Sequence, residues 1–229
     1  MLYDWPHEPD FEPMSGRFYL ATVAQVSVSP YTGVGKALTL AQIWKADLTF
    51  NNKALDVASD MQGFLESLEG PVNPVRLFDW WRPFPSLLAG DETFFSDGTG
   101  FTDGTGFTDG PSLQIVVAAS RGERRIHVEG LPGSQPCFRR GDLLGLRHAI
   151  GSGEYITCVY EVRSAVTSNA AGEALINILP GLRAGIATGD PVTLWRPTMQ
   201  MRLVPDYEAI NRAAKWAEPF TLSFVEDVP

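Results

Sequence analysis

The chain has 229 residues, 44% of them hydrophobic, a formal net charge of −9 and two cysteines. This places it among ordinary globular chains that bury one large core or two smaller ones without disulfide staples. The charge argues against coating nucleic acid on an outer surface, because phosphate neutralisation needs clustered Lys and Arg, but it leaves open an acidic wall that faces DNA without gripping it.

In chain order, the opening MLYDWPHEPDFEP is acidic, is broken by Pro6, Pro9 and Pro13, and lacks the apolar stretch of a signal peptide, so it reads as extended chain. No apolar run approaches the length that spans a bilayer. The expectation is a chain with no membrane partner, made in the cytosol and kept there until something carries it out. Phe18 to Val28 is the first strand, stopped by Ser29-Pro30, and Tyr31 to Gly35 is a turn. Lys36 to Phe50 reads as a long strand or bent pair of strands, with Trp44 and Leu48 on one face. Asn51 or Asn52 stands where a helix cap belongs. Leu55, Ala58, Met61, Leu65 and Leu68 then recur at three- and four-residue steps up to Gly70-Pro71, which predicts one amphipathic helix near residues 52 to 69. Val75, Leu77 and Phe78 return the chain to β before Trp80-Trp81 and a proline-broken stretch.

Ser96 to Gly110 hold a direct hexapeptide repeat, SDGTGFTDGTGFTDG, with Asp-Gly at 97, 103 and 109. Asp and Gly in this pattern can supply oxygens to calcium. The spacing fits neither the EF-hand loop nor the nonapeptide repeat, so the reading adopted is a duplicated connecting loop with no cofactor. Leu113 to Ala118 and Arg125 to Val128 follow as strands around a turn at Gly122. Gly141 to Leu203 then reads as a β-meander. Leu143, Leu144 and Leu146 open its first strand, and Gly151-Ser152-Gly153 turn it. In the second strand Ile156, Cys158, Tyr160 and Val162 alternate with Tyr155, Thr157, Val159 and Glu161. Asn169 to Gly172 turn into a third apolar run, Leu175, Ile176, Ile178 and Leu179, stopped by Pro180-Gly181. Val192, Leu194 and Trp195 make a fourth strand, and Met199, Met201 and Leu203 a fifth. Even turn spacing of this kind belongs to sandwiches and barrels.

The sequence therefore predicts a mainly β fold: a β-sandwich or barrel with one flanking α-helix, plus a second β-meander or barrel region. The domain reading is a helix-bearing β domain over 1–84 completed by 205–229, a Gly/Asp-rich loop over 85–111, and a meander or barrel over 112–204. Phe220, Leu222 and Phe224 give the last strand, Phe220 to Glu226, one strongly apolar face. That face must be buried, and the strand is expected to return to the N-terminal β region through a Tyr207 to Trp216 linker.

Catalytic chemistry is not legible. Pro30 to Ala37 echoes a phosphate-binding loop, but Pro30 replaces the first glycine and Ala37 the metal-binding hydroxyl. His7, His127 and His148 fall in no ligand or nucleophile pairing, and no serine sits in a G-x-S-x-G elbow. Cys137 and Cys158 have no metal-ligand spacing and read as small buried side chains. Asp142 and Asp190, each after a glycine, read as turn carboxylates. The expectation is no enzyme, no catalytic residue and no metal. Trp80 and Trp81 are the candidate platform for a glycan, against the alternative that tandem Trp packs at a junction.

The order of several motifs resembles the minor tail proteins of long-tailed, siphovirus-type bacteriophages. These are Ser29-Pro30-Tyr31-Thr32-Gly33 followed by Trp44, the helix with Phe64-Leu65 and Leu68-Glu69-Gly70, Val128-Glu129-Gly130-Leu131-Pro132, and Gly141-Asp142. Further on come Ala170-Ala171-Gly172-Glu173-Ala174, Ile178-Leu179-Pro180-Gly181-Leu182-Arg183, Pro197 with Met201-Arg202-Leu203, and Phe220 to Glu226. The Asp-Gly repeat and Met201, where the family carries an aromatic, are departures.

The resemblance implies a structural virion protein of the tail tip, the distal tail protein, with a tail-tube-like fold. It would form a homo-oligomeric ring, six-fold by resemblance, which joins the tail tube protein to the tail hub protein or baseplate near the tape-measure protein. A central channel for DNA would remain, without sequence-specific nucleic-acid binding, and assembly would take place in the host cytoplasm. A carbohydrate- or receptor-binding β-sandwich module of the tip and a head-to-tail completion ring are the alternatives.

Overall fold

Trp44, Ala46, Leu48 and Phe50 occupy every second position of one strand and are all buried, as period-two alternation against a single core requires. They belong to a computed structural model that describes residues 1–28, 35–88, 113–151, 154–205, 210 and 216–227. The Asp-Gly repeat, the Ser152-Gly153 turn, the Ser29 to Gly33 motif and most of the Tyr207 to Trp216 linker lie outside the described residues.

In chain order the first elements are β1 (Tyr3–Asp4), β2 (Ser15–Val28), β3 (Gly35–Phe50), β4 (Lys53–Ala54), α1 (Leu55–Ser67) and β5 (Val75–Phe78). Then come β6 (Leu113–Val117), β7 (Arg125–Glu129), β8 (Pro136–Phe138), β9 (Leu143–Gly151), β10 (Glu154–Val162), β11 (Val166–Thr167), β12 (Ala174–Leu179) and β13 (Pro191–Thr193). The chain finishes with β14 (Thr198–Leu203), β15 (Trp216–Ala217) and β16 (Phe220–Glu226). The fold is mainly β: among the described residues there are one α-helix, a six-stranded mixed sheet and a closed six-stranded antiparallel barrel. Two compact units result, Met1–Leu77 with Gln200–Pro229, and Phe78–Met199.

The first unit is built on the sheet β1-β5-β14-β16-β3-β2. The C-terminal strand β16 runs antiparallel to β3, from Phe220 opposite Phe50 to Val225 opposite Lys45. On its other side it pairs with β14, Leu203 opposite Phe224. Its apolar face thus finds the N-terminal β region, and Leu222 and Phe224 are buried. The α1 residues Ala58, Met61 and Leu65 are buried as well, on the three- and four-residue steps of the sequence. Neither Asn51 nor Asn52 caps this helix: the N-cap is Ala54, without a side-chain bond, because β4 carries the chain straight into the first turn. At the other end the C-cap is Leu68, and Asn73 satisfies carbonyls there. Its Nδ2 donates to the Ser67 carbonyl at 3.1 Å, and its main-chain N–H donates to the Leu68 carbonyl at 3.0 Å.

Trp5, within the proline-broken opening, is 2% exposed. Its ring stacks on Phe50 at 5.9 Å and meets Phe64 and Phe224 edge-on at 5.4 and 6.0 Å. The indole N–H donates to the Phe11 carbonyl at 3.0 Å, so its one polar atom is satisfied inside the core.

The second unit is the barrel β10-β12-β7-β6-β13-β9, beside which β8 and β11 pair with each other. The strands do not follow one another simply around it. β9 and β10 form a hairpin, but β12 pairs back to β7, and β13 closes the barrel by pairing with both β6 and β9. Ile156, Cys158, Tyr160 and Val162 fill the interior with Leu144, Leu146, Ile176 and Ile178, as expected of a small barrel packed with side chains. Gly172, at φ +78°, lies in the turn before β12, where an added Cβ would stand 2.3 Å from the Leu131 carbonyl oxygen.

Two expectations for this region are corrected. The fifth meander strand, carrying Met199, Met201 and Leu203, joins the six-stranded sheet: after the barrel strand has ended, Arg196 at φ +41° and the buried Pro197 redirect the chain. The fourth strand stops at Thr193, leaving Leu194 and Trp195 outside it. Leu175 is exposed, since it points away from the interior that Ala174, Ile176 and Ile178 reach on β12.

Candidate functional site

The tandem tryptophans separate in role. Trp80 is half-buried with its ring 4.5 Å from Phe78, whereas Trp81 is 45% exposed. Asp79, just before them and buried, organises the segment. Its Oδ1 accepts from the Trp81 main-chain N–H at 2.9 Å and its Oδ2 from Arg82 Nε at 2.7 Å. Arg82 Nη1 goes on to the Gly141 carbonyl at 3.1 Å and lies 3.6 Å from Glu161. A charge-assisted pair of this kind fixes the backbone that presents Trp81.

Sequence reading missed the rest of this aromatic cluster. Phe84 stacks on Trp195 at 5.4 Å, and the Arg196 guanidinium sits over Phe78 at 5.0 Å and near Trp195 at 5.3 Å. Arg196 donates its main-chain N–H to the Pro83 carbonyl at 2.6 Å. Its Nε is buried with no hydrogen-bond partner among the described residues. Arg196 precedes Pro197, a position biased away from regular helical geometry, and this was the available signal that the chain bends there. On the outside of the barrel the register sets Val117, His127 and Leu175 side by side on β6, β7 and β12, and both Val117 and Leu175 are exposed.

The candidate acid and base groups serve turns and packing. Asp142 Oδ2 accepts from the Arg139 N–H, and Asp190 Oδ2 from the Ala187 N–H, each at 2.7 Å and three residues back. Burial pushes the Asp142 carboxyl above the usual carboxylate range, against the lowering effect of N–H bonds from Arg139 and Ser86 and the charges of Arg139 and Arg82. His148 lies wholly inside the barrel with Nε2 2.7 Å from the Tyr160 hydroxyl. His127 Nε2 is 3.7 Å from Glu173. Cys137 and Cys158 are both buried free thiols. Among the described residues no three of His, Cys, Asp and Glu gather as metal ligands.

The other feature a partner could use belongs to the first unit. β16 pairs with β3 only as far as Lys45, and the Glu226 carboxylate takes the next main-chain N–H, that of Trp44, at 3.0 Å. From there the β2–β3 ladder runs on to Val28 opposite Gly35, and β2 is the edge strand of the sheet. At about 3.3 Å per residue this two-stranded ribbon extends roughly 30 Å past the last rung of β16. The sheet face opposite α1 is polar. It carries Arg17 paired with Asp47, Arg202 paired with Asp227, and the hydroxyls of Thr49, Thr221 and Ser223.

Comparison with protein-family models finds none that matches this chain, and comparison with curated protein sequences finds none either.

Proposed function

We propose that the chain is a structural subunit of the tail tip of a long-tailed bacteriophage, several copies of which form a ring that joins the tail tube to the hub or baseplate. The observation that carries this reading is the β2–β3 ribbon. A two-stranded ribbon is marginal in water by itself, and an edge strand presents a row of main-chain donors and acceptors to another chain. One such element repeated by rotation against a different patch of the neighbouring copy makes a heterologous contact that closes into a ring. The polar sheet face supports the reading from a second side. Arg17 and Arg202 on it are each paired with an aspartate and its hydroxyls are small, which suits a channel wall past which DNA slides without being gripped. On this reading the partners are further copies of the chain, six by resemblance, with tail tube, hub and tape-measure proteins at its borders. The chain does no chemistry and assembles in the host cytoplasm.

Electron microscopy of the purified protein tests this. Rings with a wide central hole are expected, and a population of monomers at high concentration contradicts the proposal. A second reading, a carbohydrate- or receptor-binding module, is favoured by the exposed rings of Trp81 and Trp195 in the second unit. Monomers that bind a glycan array, and lose that binding in Trp81→Ala, would replace the ring reading with this one.

A further inference from the structure

Between β12 and β13 the chain leaves the barrel wall and folds back over it on the side where β6 turns into β7. Leu182 and Ile186 of this segment enter the barrel core, 2% and 4% exposed. Four main-chain bonds tie the segment to residues 119–123: Ala119 and Ile186 exchange N–H to carbonyl bonds at 3.1 and 2.9 Å, Gly122 donates to Leu182, and Leu182 donates to Glu123, both at 2.8 Å. Gly181 passes so close that an added Cβ would stand 2.6 Å from the Gly122 carbonyl oxygen.

Two further bonds reach the segment from inside the barrel, and they fix the state of His148. The Gly185 carbonyl can only accept, so His148 Nδ1, 3.4 Å away, carries the proton. In the neutral ring Nε2 is then an acceptor, and the Tyr160 hydroxyl donates to it at 2.7 Å. The Tyr160 oxygen in turn accepts the Arg183 main-chain N–H at 2.9 Å. In this arrangement His148 Nδ1, the Tyr160 hydroxyl and the Arg183 N–H each donate to an acceptor, and the directions are mutually consistent. A proton added at Nε2 turns that atom into a donor and takes away the acceptor of the Tyr160 hydroxyl hydrogen. It also leaves a cation in an apolar interior. The groups facing the ring are Tyr160 from β10 and, from the segment itself, the Gly185 carbonyl and the Asp190 carboxylate. The last two favour the cation, but burial outweighs them and holds the imidazole below its ordinary value of 6.5.

We propose that His148 is a pH-operated latch for the segment between β12 and β13: the neutral ring holds the segment on the barrel through Tyr160 and Gly185, and acidification releases it and uncovers Leu182 and Ile186. The released state lets water reach the imidazolium and frees both donors.

Hydrogen exchange of the full chain between pH 7.5 and 5.0, corrected for the intrinsic rate, tests the latch at the amides of Leu182, Arg183 and Ile186. Below pH 6.5 their protection should fall with a limiting slope of roughly tenfold per pH unit. Leu146 and Cys158 in the barrel strands should keep theirs. In His148→Gln, whose amide still accepts from the Tyr160 hydroxyl but does not ionise, the slope should vanish. A flat wild-type profile, a slope that survives in the variant, or equal loss at Leu146 and Cys158 would each overturn the proposal. Should the variant not fold, nitrogen chemical shifts of the His148 ring in the wild-type chain decide the matter. A titration midpoint coincident with the loss of protection supports the latch, and a midpoint passed without change at those three amides refutes it.

Discussion

Cutting the chain after Pro219 removes β16 from between β3 and β14 in the first unit. The loss can be sized from the buried side chains. Leu222 and Phe224 are 0% and 1% exposed, and truncating such residues costs about 2–5 kcal/mol for Leu and about 3–5 kcal/mol for Phe. The pair therefore represents about 5–10 kcal/mol, set against a total of about 5–15 kcal/mol for a typical fold. Further losses add to this. Trp5 is stripped of its edge contact with Phe224, Phe50 of its 5.1 Å stack with Phe220, and the Trp44 N–H of the Glu226 carboxylate. The truncated chain should be insoluble or lack cooperative unfolding. Phe224→Ala in the full chain should be graded, with a melting temperature lower by roughly 6–20 °C, while exposed Thr221→Ala stays within about 0.5 kcal/mol of wild type. Thermal unfolding followed by circular dichroism, with the soluble fraction, measures all three. A soluble truncated chain with an unchanged melt would refute the placement of β16 at the centre of the sheet.

Gly172→Ala should destabilise the barrel by more than about 1 kcal/mol, because φ +78° and the 2.3 Å approach to the Leu131 carbonyl both exclude a Cβ; a chemical-denaturation midpoint equal to wild type would contradict this. For Asp142 the folded carboxyl titrates above 3.8, so between that pH and its raised value the folded state holds more protons than the unfolded one. Its contribution to stability therefore falls as pH rises through the window and is constant above it. The stability of Asp142→Asn relative to wild type should accordingly grow with pH across the window and level off, as read from melting temperatures from pH 3.5 to 7, and a difference that shrinks with rising pH would contradict the assignment.

Where one face of an element meets one core, the sequence was enough to read it. The 3.6-residue rhythm of Ala58, Met61 and Leu65 and the period-two rhythms of β3, β10 and β16 are local consequences of burial. They survive in the structure within a few residues at the boundaries. Periodicity states which side of a strand is buried and leaves its partner open. Hence Met199, Met201 and Leu203 were read as a strand correctly but assigned to the barrel region, when the turn at Arg196 sends them to the other sheet. Trp5 was hidden because Pro6, Pro9 and Pro13 follow it closely and suppress any repeating pattern, and its core position rests on contacts with Phe50, Phe64 and Phe224, far away in sequence. The His148–Tyr160 pair was hidden for a related reason. Tyr160 appears as one more inward residue of an alternating strand, and only the closed barrel brings its hydroxyl to the imidazole. Of the aromatic cluster, Trp80 and Trp81 were visible as a tandem, whereas Trp195 and Arg196 reach Phe84 and Phe78 through the return of the chain after β13.

The ring proposal is tested most directly by the mass of the assembled species in native conditions, for the wild-type chain and for a chain in which residues 23–41 are replaced by Asn-Gly. The replacement joins Thr22 to its ladder partner Gln42 through a two-residue hairpin turn and leaves every rung between β3 and β16 in place. The account predicts a closed oligomer, six copies by resemblance, for the wild type and a folded monomer for the shortened chain. A wild-type monomer, or a ring that persists without the ribbon, would contradict it.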